Sequence, residues 1–348
     1  MRTMLCCAVA FCAVDLFASY VIPDSPRKFR SDAKKLDFSI DVVSRPGKGL
    51  SEDAVTRSEF SDMISRISAM QCLTSLRIAV QLDSPGLVID VAPFEGLTNL
   101  TELAVSSRYE DRVVVRNLDR LAGLPISDLS LKFVGLENSE AISRLAKVKD
   151  FATSSLTMLR YVNPEIGSLS LQDVRSEGVI DLSRFRRLES LTVYDARCER
   201  MTGVFAMRAL EELTICGPFL FDEEEIAKCK SLTSLTIRCP SFGKAIRSTS
   251  FLAGLPLTSL VVEGAPVREI TGLEGCPLTF LEVNECPVRD IDSICRIPTL
   301  KSLKLDDTSV GYVDMKAVAS RFPNLDSFEC WGAYDGWRFQ ISYDKDCE

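Results

Sequence analysis

The sequence offers few side chains for acid–base or metal chemistry. None of its 348 residues is a histidine, the side chain that most often serves as a general base near neutral pH and as a metal ligand. This excludes Ser-His-Asp and Cys-His catalytic groups, and zinc sites that contain histidine. Because only carboxylate, lysine or tyrosine chemistry remains, we rank an enzyme last among the functional hypotheses.

One run of acidic residues, Asp222 to Glu225, has the composition of a carboxylate site. The run stands directly before an apolar segment, and acids at the N-terminus of a helix are stabilised by the helix dipole. We therefore interpret Asp222 as a helix N-cap. The sequence predicts no catalytic residue, no metal site and no cofactor.

Thirteen cysteines are present, and no two of them have the C-x-x-C spacing of a zinc ribbon or a thioredoxin-type motif. A free cysteine packs as a small apolar residue, so most of them are predicted to lie in the core. If the protein is exported, Cys330 and Cys347 are the candidate disulfide near the C-terminus.

Composition narrows the class of protein further. With 46% hydrophobic and 26% charged residues, the chain is too apolar to be disordered. Its net charge of −8 argues against nucleic-acid binding, which needs a positive surface. The same charge argues against a membrane-surface role for the folded body.

Residues 1–22 resemble a secretory signal peptide, because Arg2 precedes an apolar run that extends from Met4 to Val14. Asp15 interrupts the run, and no clear cleavage site follows it. We therefore keep an uncleaved membrane anchor as the alternative for this segment. Membrane contact is expected only through this segment, and only if it is not cleaved.

The pattern L-x-x-L-x-L, with other apolar residues, Thr or Cys at some positions, recurs along the chain at a mean spacing of about 23 residues. Its starts are Leu73, Leu100, Ile126, Val148, Ile166, Leu188, Leu210, Leu232, Leu257, Leu278, Leu300 and Leu325.

This pattern resembles the short, 22-residue-type repeats of the leucine-rich repeat family, with about twelve copies over residues 73–330. The resemblance implies an α/β solenoid with a parallel β-sheet on the concave face and mostly irregular or short-helical convex segments. It also implies a binding surface on the concave face. The chain departs from the family where Asn or Cys usually follows the strand, since Ala196, Pro218 and Ala265 occupy that place.

A solenoid needs capped ends, because its terminal repeats would otherwise expose their core. We assign residues 23–72 to a linker and N-terminal cap, with a strand at Leu36–Val43 and one or two amphipathic helices within Ser51–Met70. The apolar stripe of this helical segment consists of Val55, Phe60, Met63, Ile64 and Ile67. Residues 331–348 form the predicted C-terminal cap, in which Tyr334-Asp-Gly-Trp337 is typical of a hairpin turn. An aromatic ligand platform is the alternative for this segment.

Alternate residues of a strand face opposite sides, so the repeats predict which residues face the partner. Most are small and polar, whereas interface hot spots favour large side chains. The candidate binding residues are therefore the larger ones: Lys132, Phe133, Tyr194, Arg238, Phe280, Glu282, Lys304 and Trp331.

Three functional hypotheses follow from these observations. The favoured one is a non-catalytic binding module, exported or attached to the cell surface, that recognises a protein or a glycan. The second is an intracellular, cytoplasmic adaptor that scaffolds other proteins. The third is an enzyme that uses a pair of carboxylates. Fold alone does not decide between them.

Overall fold

A computed structural model describes residues 33–43, 55–82, 86–109, 112–239, 245–289, 291–308, 321–322, 324–334 and 337–344. The strands in these ranges are β1 (Lys35–Val43), β2 (Val55–Thr56), β3 (Ser75–Leu82), β4 (Leu87–Asp90), β5 (Glu102–Ser107), β6 (Val113–Arg116), β7 (Asp128–Lys132), β8 (Gly135–Leu136), β9 (Asp150–Thr153), β10 (Ser168–Gln172), β11 (Val179–Asp181), β12 (Ser190–Tyr194), β13 (Arg200–Thr202), β14 (Glu212–Cys216), β15 (Ser234–Arg238), β16 (Ser259–Glu263), β17 (Phe280–Asn284), β18 (Ser302–Asp306), β19 (Ser327–Tyr334) and β20 (Trp337–Asp344).

Fifteen of these described strands form one open sheet, in the order β2-β1-β3-β5-β7-β9-β10-β12-β14-β15-β16-β17-β18-β19-β20. All neighbours are parallel except β19 and β20. Each of the twelve predicted repeats is confirmed, because a strand of this sheet begins two residues after each start. This includes the closely spaced starts at Val148 and Ile166, whose strands pair with Ser168 opposite Asp150.

Alternation along each strand produces the core. In β15, Leu235 and Ile237 are fully buried, whereas Ser234 and Thr236 are half-buried on the opposite side. The buried apolar residues of all repeats belong to one continuous cluster that runs from Leu36 to Cys330. One repeat could not bury its own apolar face, so each repeat depends on its neighbours for stability.

The backbone replaces the asparagine column that the sequence lacks. After several strands the chain enters the left-handed region, for example at Asp195 with φ 47°. The Asp195 N–H then donates to the Cys216 carbonyl of the next repeat at 2.7 Å, and the Gly217 N–H donates likewise to the Arg238 carbonyl. Bonds of this kind extend the ladder past several of the strands from β10 onward, so backbone groups there stay paired.

The convex side is built from short elements. Four α-helices are described: α1 (Arg57–Ile67), α2 (Leu156–Leu159), α3 (Glu223–Ile226) and α4 (Asp292–Cys295). The 3₁₀-helices lie at Ala92–Gly96, Leu118–Gly123, Ser139–Arg144, Val204–Ala206 and Ser250–Leu252. The sequence did not predict the two small parallel sheets here, β4-β6-β8 and β11-β13. They form because convex segments of neighbouring repeats also run side by side.

The N-terminal end carries the predicted strand and one helix. Helix α1 buries Phe60, Met63, Ile64 and Ile67, the apolar stripe that the sequence predicts. Thr56 and Glu59 form a capping box at its start. The expectation that Val55 belongs to this helix is wrong, because Val55 pairs with Val42 as part of β2.

At the C-terminal end, β19 and β20 form an antiparallel hairpin in which Tyr334 pairs with Trp337, as the turn signal predicts. Residues 335–336 and the side chains of residues 331–344 lie outside the described part of the structure. The aromatic platform therefore stays a prediction. The domain boundaries also stay predictions, since the sheet continues through both proposed caps. Within the described ranges, no helix combines the length and the apolar character that crossing a membrane requires.

Candidate functional site

The strand register arranges the concave side chains in three columns. The first column begins with Ser75, Glu102, Asp128 and Asp150, and the second begins with Arg77 and Ala104. The third column is at the carboxyl ends of the strands and consists of Ala79, Ser106, Lys132, Ser154, Gln172, Tyr194, Cys216, Arg238, Glu263, Asn284, Asp306 and Trp331. Ser154 takes its place because Leu131 pairs with Thr153, one residue earlier on each strand.

Two residues of the concave columns are buried, although strand alternation places both on the outward face. They are Ser75 and Val261, at 5% and 8% exposure. The Ser75 hydroxyl donates to the Glu102 carboxylate at 2.6 Å, which covers it. The remaining central positions, such as Thr192 and Thr214, are half-buried and small, so a partner's backbone can approach the sheet closely there.

The third column contains four of the predicted binding residues, Lys132, Tyr194, Arg238 and Trp331. Because neighbouring strands are about 4.8 Å apart, these residues are spread along the column and do not form a cluster. Phe133 lies one residue beyond β7, in a left-handed turn with φ 56°. It therefore belongs to the turn that follows the strand and not to the concave columns.

The other predicted residues lie near the C-terminal end of the same face. Glu282 stands opposite Lys304 on the next strand, and the Lys304 ammonium lies 3.5 Å from the Glu329 carboxylate. Phe280 is half-buried at the start of β17. The backbone of Trp331 pairs with Asp306, but its side chain is outside the described residues.

Several polar groups in this region already have partners. The Arg238 guanidinium lies 2.9 Å from the Glu263 carboxylate. Both side chains are mostly buried, at 24% and 32% exposure. The Asn284 amide donates to the Glu282 carboxylate at 2.6 Å. A partner at this end would have to fit around existing ion pairs.

The N-terminal end of the face carries a row of acids on three successive strands, Glu102, Asp128 and Asp150. Burial raises the pKa of Asp128, and the carboxylates of Asp150 and Glu102 raise it further, whereas Arg77 and Lys132 act in the opposite direction. Burial also raises the pKa of Asp150. Lys149 acts in the opposite direction on Asp150, and Glu189 adds to its shift. In both residues the loss of water around the ionised carboxylate outweighs the favourable effect of the nearby cations.

Lys132 stands at the other end of β7 from Asp128. Its side chain is half-buried, and within the described part of the chain it makes no hydrogen bond or ion pair. Burial lowers the pKa of its ammonium, and Arg77 lowers it further, while Asp128 raises it. The charge is therefore partly desolvated without a partner to compensate for the cost.

Two buried side-chain polar atoms in the described residues have no hydrogen-bond partner, Ser154 Oγ and Asn284 Oδ1. Both residues stand in the third column. Buried polar atoms without partners are uncommon in folded proteins and call for an explanation. Sequence reasoning missed both residues because it selected by size. Continuing the strand alternation past Asp150 and Phe280 would have found them.

The other chemical groups have structural roles. The Asp222 carboxylate accepts a hydrogen bond from the Glu224 N–H at 3.0 Å, so the predicted helix cap is confirmed. The described residues hold no group of three or more cysteines or acids placed to bind a metal. Cys330 is a free thiol, 1% exposed, and Cys347 is outside the described residues, so their pairing stays a prediction.

A groove of about 350 Å³ lies on the convex side and is lined by Leu156, Arg160, Val179 and Arg184, among others. One of its two guanidinium groups is already engaged, because that of Arg184 donates to the carbonyls of Leu159, Arg160 and Val162 at 2.8 to 3.3 Å. Arg184 thus caps the end of α2 and has a structural role.

No protein-family model matches the chain, and no curated protein matches its sequence. Solved structures do match. An internalin, InlF, from Listeria monocytogenes is 18% identical with a TM-score of 0.52, over 85% of this chain and 79% of that one. A leucine-rich repeat protein from Leptospira interrogans is 14% identical with a TM-score of 0.48, over 87% and 90%. The fold is therefore that of an α/β leucine-rich repeat solenoid.

Proposed function

We propose that this leucine-rich repeat solenoid is a non-catalytic module that binds a protein partner across its concave face. The absence of histidine and the structural roles of the Asp222 and Arg184 groups support a binding function over an enzymatic one. The net charge of −8 supports a protein partner over a nucleic acid.

The chemistry of the concave face supports recognition in two parts. The central Ser and Thr residues, such as Thr192 and Thr214, form a flat surface of small polar side chains. The larger side chains at the exit edge, including Lys132, Tyr194 and Arg238, supply charge and an aromatic ring. Binding energy usually concentrates in a few such residues. We therefore expect the third column to contribute most of the binding energy, and the other two columns to contribute shape complementarity.

One observation carries the proposal. Both of the buried side-chain polar atoms that lack a partner in the described residues, on Ser154 and Asn284, stand in the third column. A partner that supplies hydrogen bonds there would remove the cost of leaving them unpaired. If such unpaired atoms were distributed at random over the protein, there would be no reason for both of them to lie in this column.

The test is photo-cross-linking in the source organism with benzoylphenylalanine. Tyr194 in the third column and Phe205, which is 52% exposed on the convex side, are replaced in turn, so that both changes are aromatic for aromatic. We expect a discrete cross-linked product from the Tyr194 position and none from the Phe205 position.

The reverse pattern would show that the convex side binds the partner. No product from either position would contradict a binding function. Protease treatment of the product separates a protein partner from a glycan, the alternative ligand class.

For the compartment, residues 1–22 support export to the periplasm, the cell surface or the medium. An intracellular adaptor is the second candidate. It is favoured by the free thiols of Cys72, Cys229, Cys239, Cys276, Cys286 and Cys330, because oxidising compartments promote disulfide formation.

A further inference from the structure

Three polar residues on adjacent strands of the third column make no described side-chain hydrogen bond: Lys132 on β7, Ser154 after β9 and Gln172 at the end of β10. Ser154 stands between the other two in the register. An ammonium, a hydroxyl and an amide together can donate several hydrogen bonds to one acceptor. We name these three residues the donor cluster. Among the described residues, no carboxylate or other anionic oxygen accepts hydrogen bonds from them.

The same strands carry the opposite charge at their other ends. Asp128 begins β7 and Asp150 begins β9, and neither carboxylate has a hydrogen bond or ion pair among the described residues. Glu102 differs, because its carboxylate accepts a hydrogen bond from the Ser75 hydroxyl at 2.6 Å and lies 3.9 Å from the Arg77 guanidinium. We name Asp128 and Asp150 the acid pair. Arg77 and Lys132 act on Asp128, and Lys149 acts on Asp150, only at longer range, so no cation among the described residues is in ion-pair contact with the acid pair.

The distance between the two groups follows from strand geometry. Asp128 and Lys132 are four residues apart on β7, which places them about 13 Å apart along the strand. Residues four apart in an extended peptide also lie about 13 Å apart, on the same face of that peptide. A short segment with opposite charges at that spacing can therefore meet both groups at once.

We propose that this patch binds an extended segment of a protein partner that places a carboxylate on the donor cluster and a cationic side chain on the acid pair. The inference rests on the proposed function and specifies the partner's chemistry. A phosphate or another multiply charged anion fits less well, because Asp128 and Asp150 repel it. A purely basic segment would leave Lys132 uncompensated.

The probes are three five-residue peptides with blocked ends: Arg-Thr-Ser-Thr-Glu, its reverse Glu-Thr-Ser-Thr-Arg, and the neutral Gln-Thr-Ser-Thr-Gln. Binding is measured by calorimetry on the full chain. We expect one of the charged peptides to bind with a Kd in the millimolar range or below, and the neutral peptide to bind at least about fivefold more weakly.

Two variants locate the contacts. Lys132→Met should weaken binding of the charged peptide about fivefold and should remove the benefit of its Glu over Gln. Asp128→Asn should remove the benefit of its Arg. Lys147→Met is the matched control, because Lys147 is exposed and lies outside the concave columns, and it should change nothing.

Equal binding of the charged and neutral peptides, or no binding up to about 10 mM, would overturn the proposal. Competition by inorganic phosphate as strong as by the peptide would also overturn it, in favour of a general anion site. If the peptides fail while Tyr194 still cross-links, the concave face binds its partner by other contacts. The two proposals therefore fail separately.

Discussion

At the level of single residues, the concave face contains a carboxylate, that of Asp128, whose surroundings disfavour its ionised form. Asp128 has acidic neighbours on both sides, since Glu102 and Asp150 stand on the adjacent strands. Burial and these neighbours raise its pKa above the ordinary value of 3.8. Residues kept in unfavourable surroundings are often functional, because binding and stability make different demands.

We expect Asp128→Asn to stabilise the protein by about 0.5 kcal/mol at neutral pH, a value reduced for partial solvation. A raised native pKa means that the folded state holds the proton more tightly than the unfolded state. The penalty in wild-type protein therefore grows as pH rises from about 3.8 through the native pKa, and is complete at neutral pH. Urea denaturation at several pH values should show the gain shrinking toward pH 4.

The control for this prediction is Asp62→Asn, because Asp62 is exposed on α1. It should have little effect on the free energy of unfolding at any pH. An Asp128→Asn protein that is less stable than wild type at neutral pH would mean that the Asp128 carboxylate has a stabilising partner.

At the scale of elements, short convex pieces determine how neighbouring repeats join. Only 18 residues separate the starts at Val148 and Ile166, and the single-turn helix α2 occupies the connection. Arg184 from the following repeat donates to three carbonyls at or just after the end of this helix. Carbonyls at a helix end have no partner within the helix, so Arg184 ties two repeats together.

Arg184→Ala should lower the free energy of unfolding by about 1.5 kcal/mol, because hydrogen bonds from a charged donor are lost and the carbonyls of Arg160 and Val162 lose this donor. Arg186→Ala is the matched control, since Arg186 is exposed two residues away and should cost less than about 0.5 kcal/mol. Equal urea midpoints for the two variants would show that water replaces the guanidinium at no cost.

At the level of the whole molecule, one long sheet covers one continuous core, and five of the described cysteines are buried in that core: Cys229, Cys239, Cys276, Cys286 and Cys330. Burial raises the pKa of Cys229, Cys239, Cys286 and Cys330 to about 11 in each case. Because the thiolate is the reactive form, these thiols are inert while the solenoid is folded. Cys72 is exposed and serves as the reactive reference.

An intact mass of the natively expressed protein, with alkylation before and after denaturation, tests export and cysteine pairing together. For an exported protein we expect the loss of about 18–22 residues. Cys72 should react in the native state, and the buried thiols should react only after unfolding. If Cys330 and Cys347 resist alkylation in the denatured protein until a reductant is added, the predicted disulfide is established. A full-length mass with every thiol reactive would contradict export and favour the intracellular adaptor.

Much of the architecture was predictable because each repeat carries its own signal. The twelve strand starts follow from local spacing, and so do the inward direction of residues such as Leu235 and the helix cap at Asp222. Local patterns succeed in a solenoid since each repeat contacts only its neighbours. The strand at Val55 was missed because its pairing with Val42 is not local.

The repeat, the inward and outward faces and the scarcity of catalytic groups could be predicted from the sequence alone, because these depend on residue type and period. Which polar groups have partners emerged only from the three-dimensional arrangement. Arg238, Glu282 and Lys304 are already paired or flanked by charge, whereas Lys132 and Ser154 have no partner among the described residues. The difference arises from the register across strands some twenty residues apart, which sets side chains opposite each other and which the pattern within one repeat does not encode.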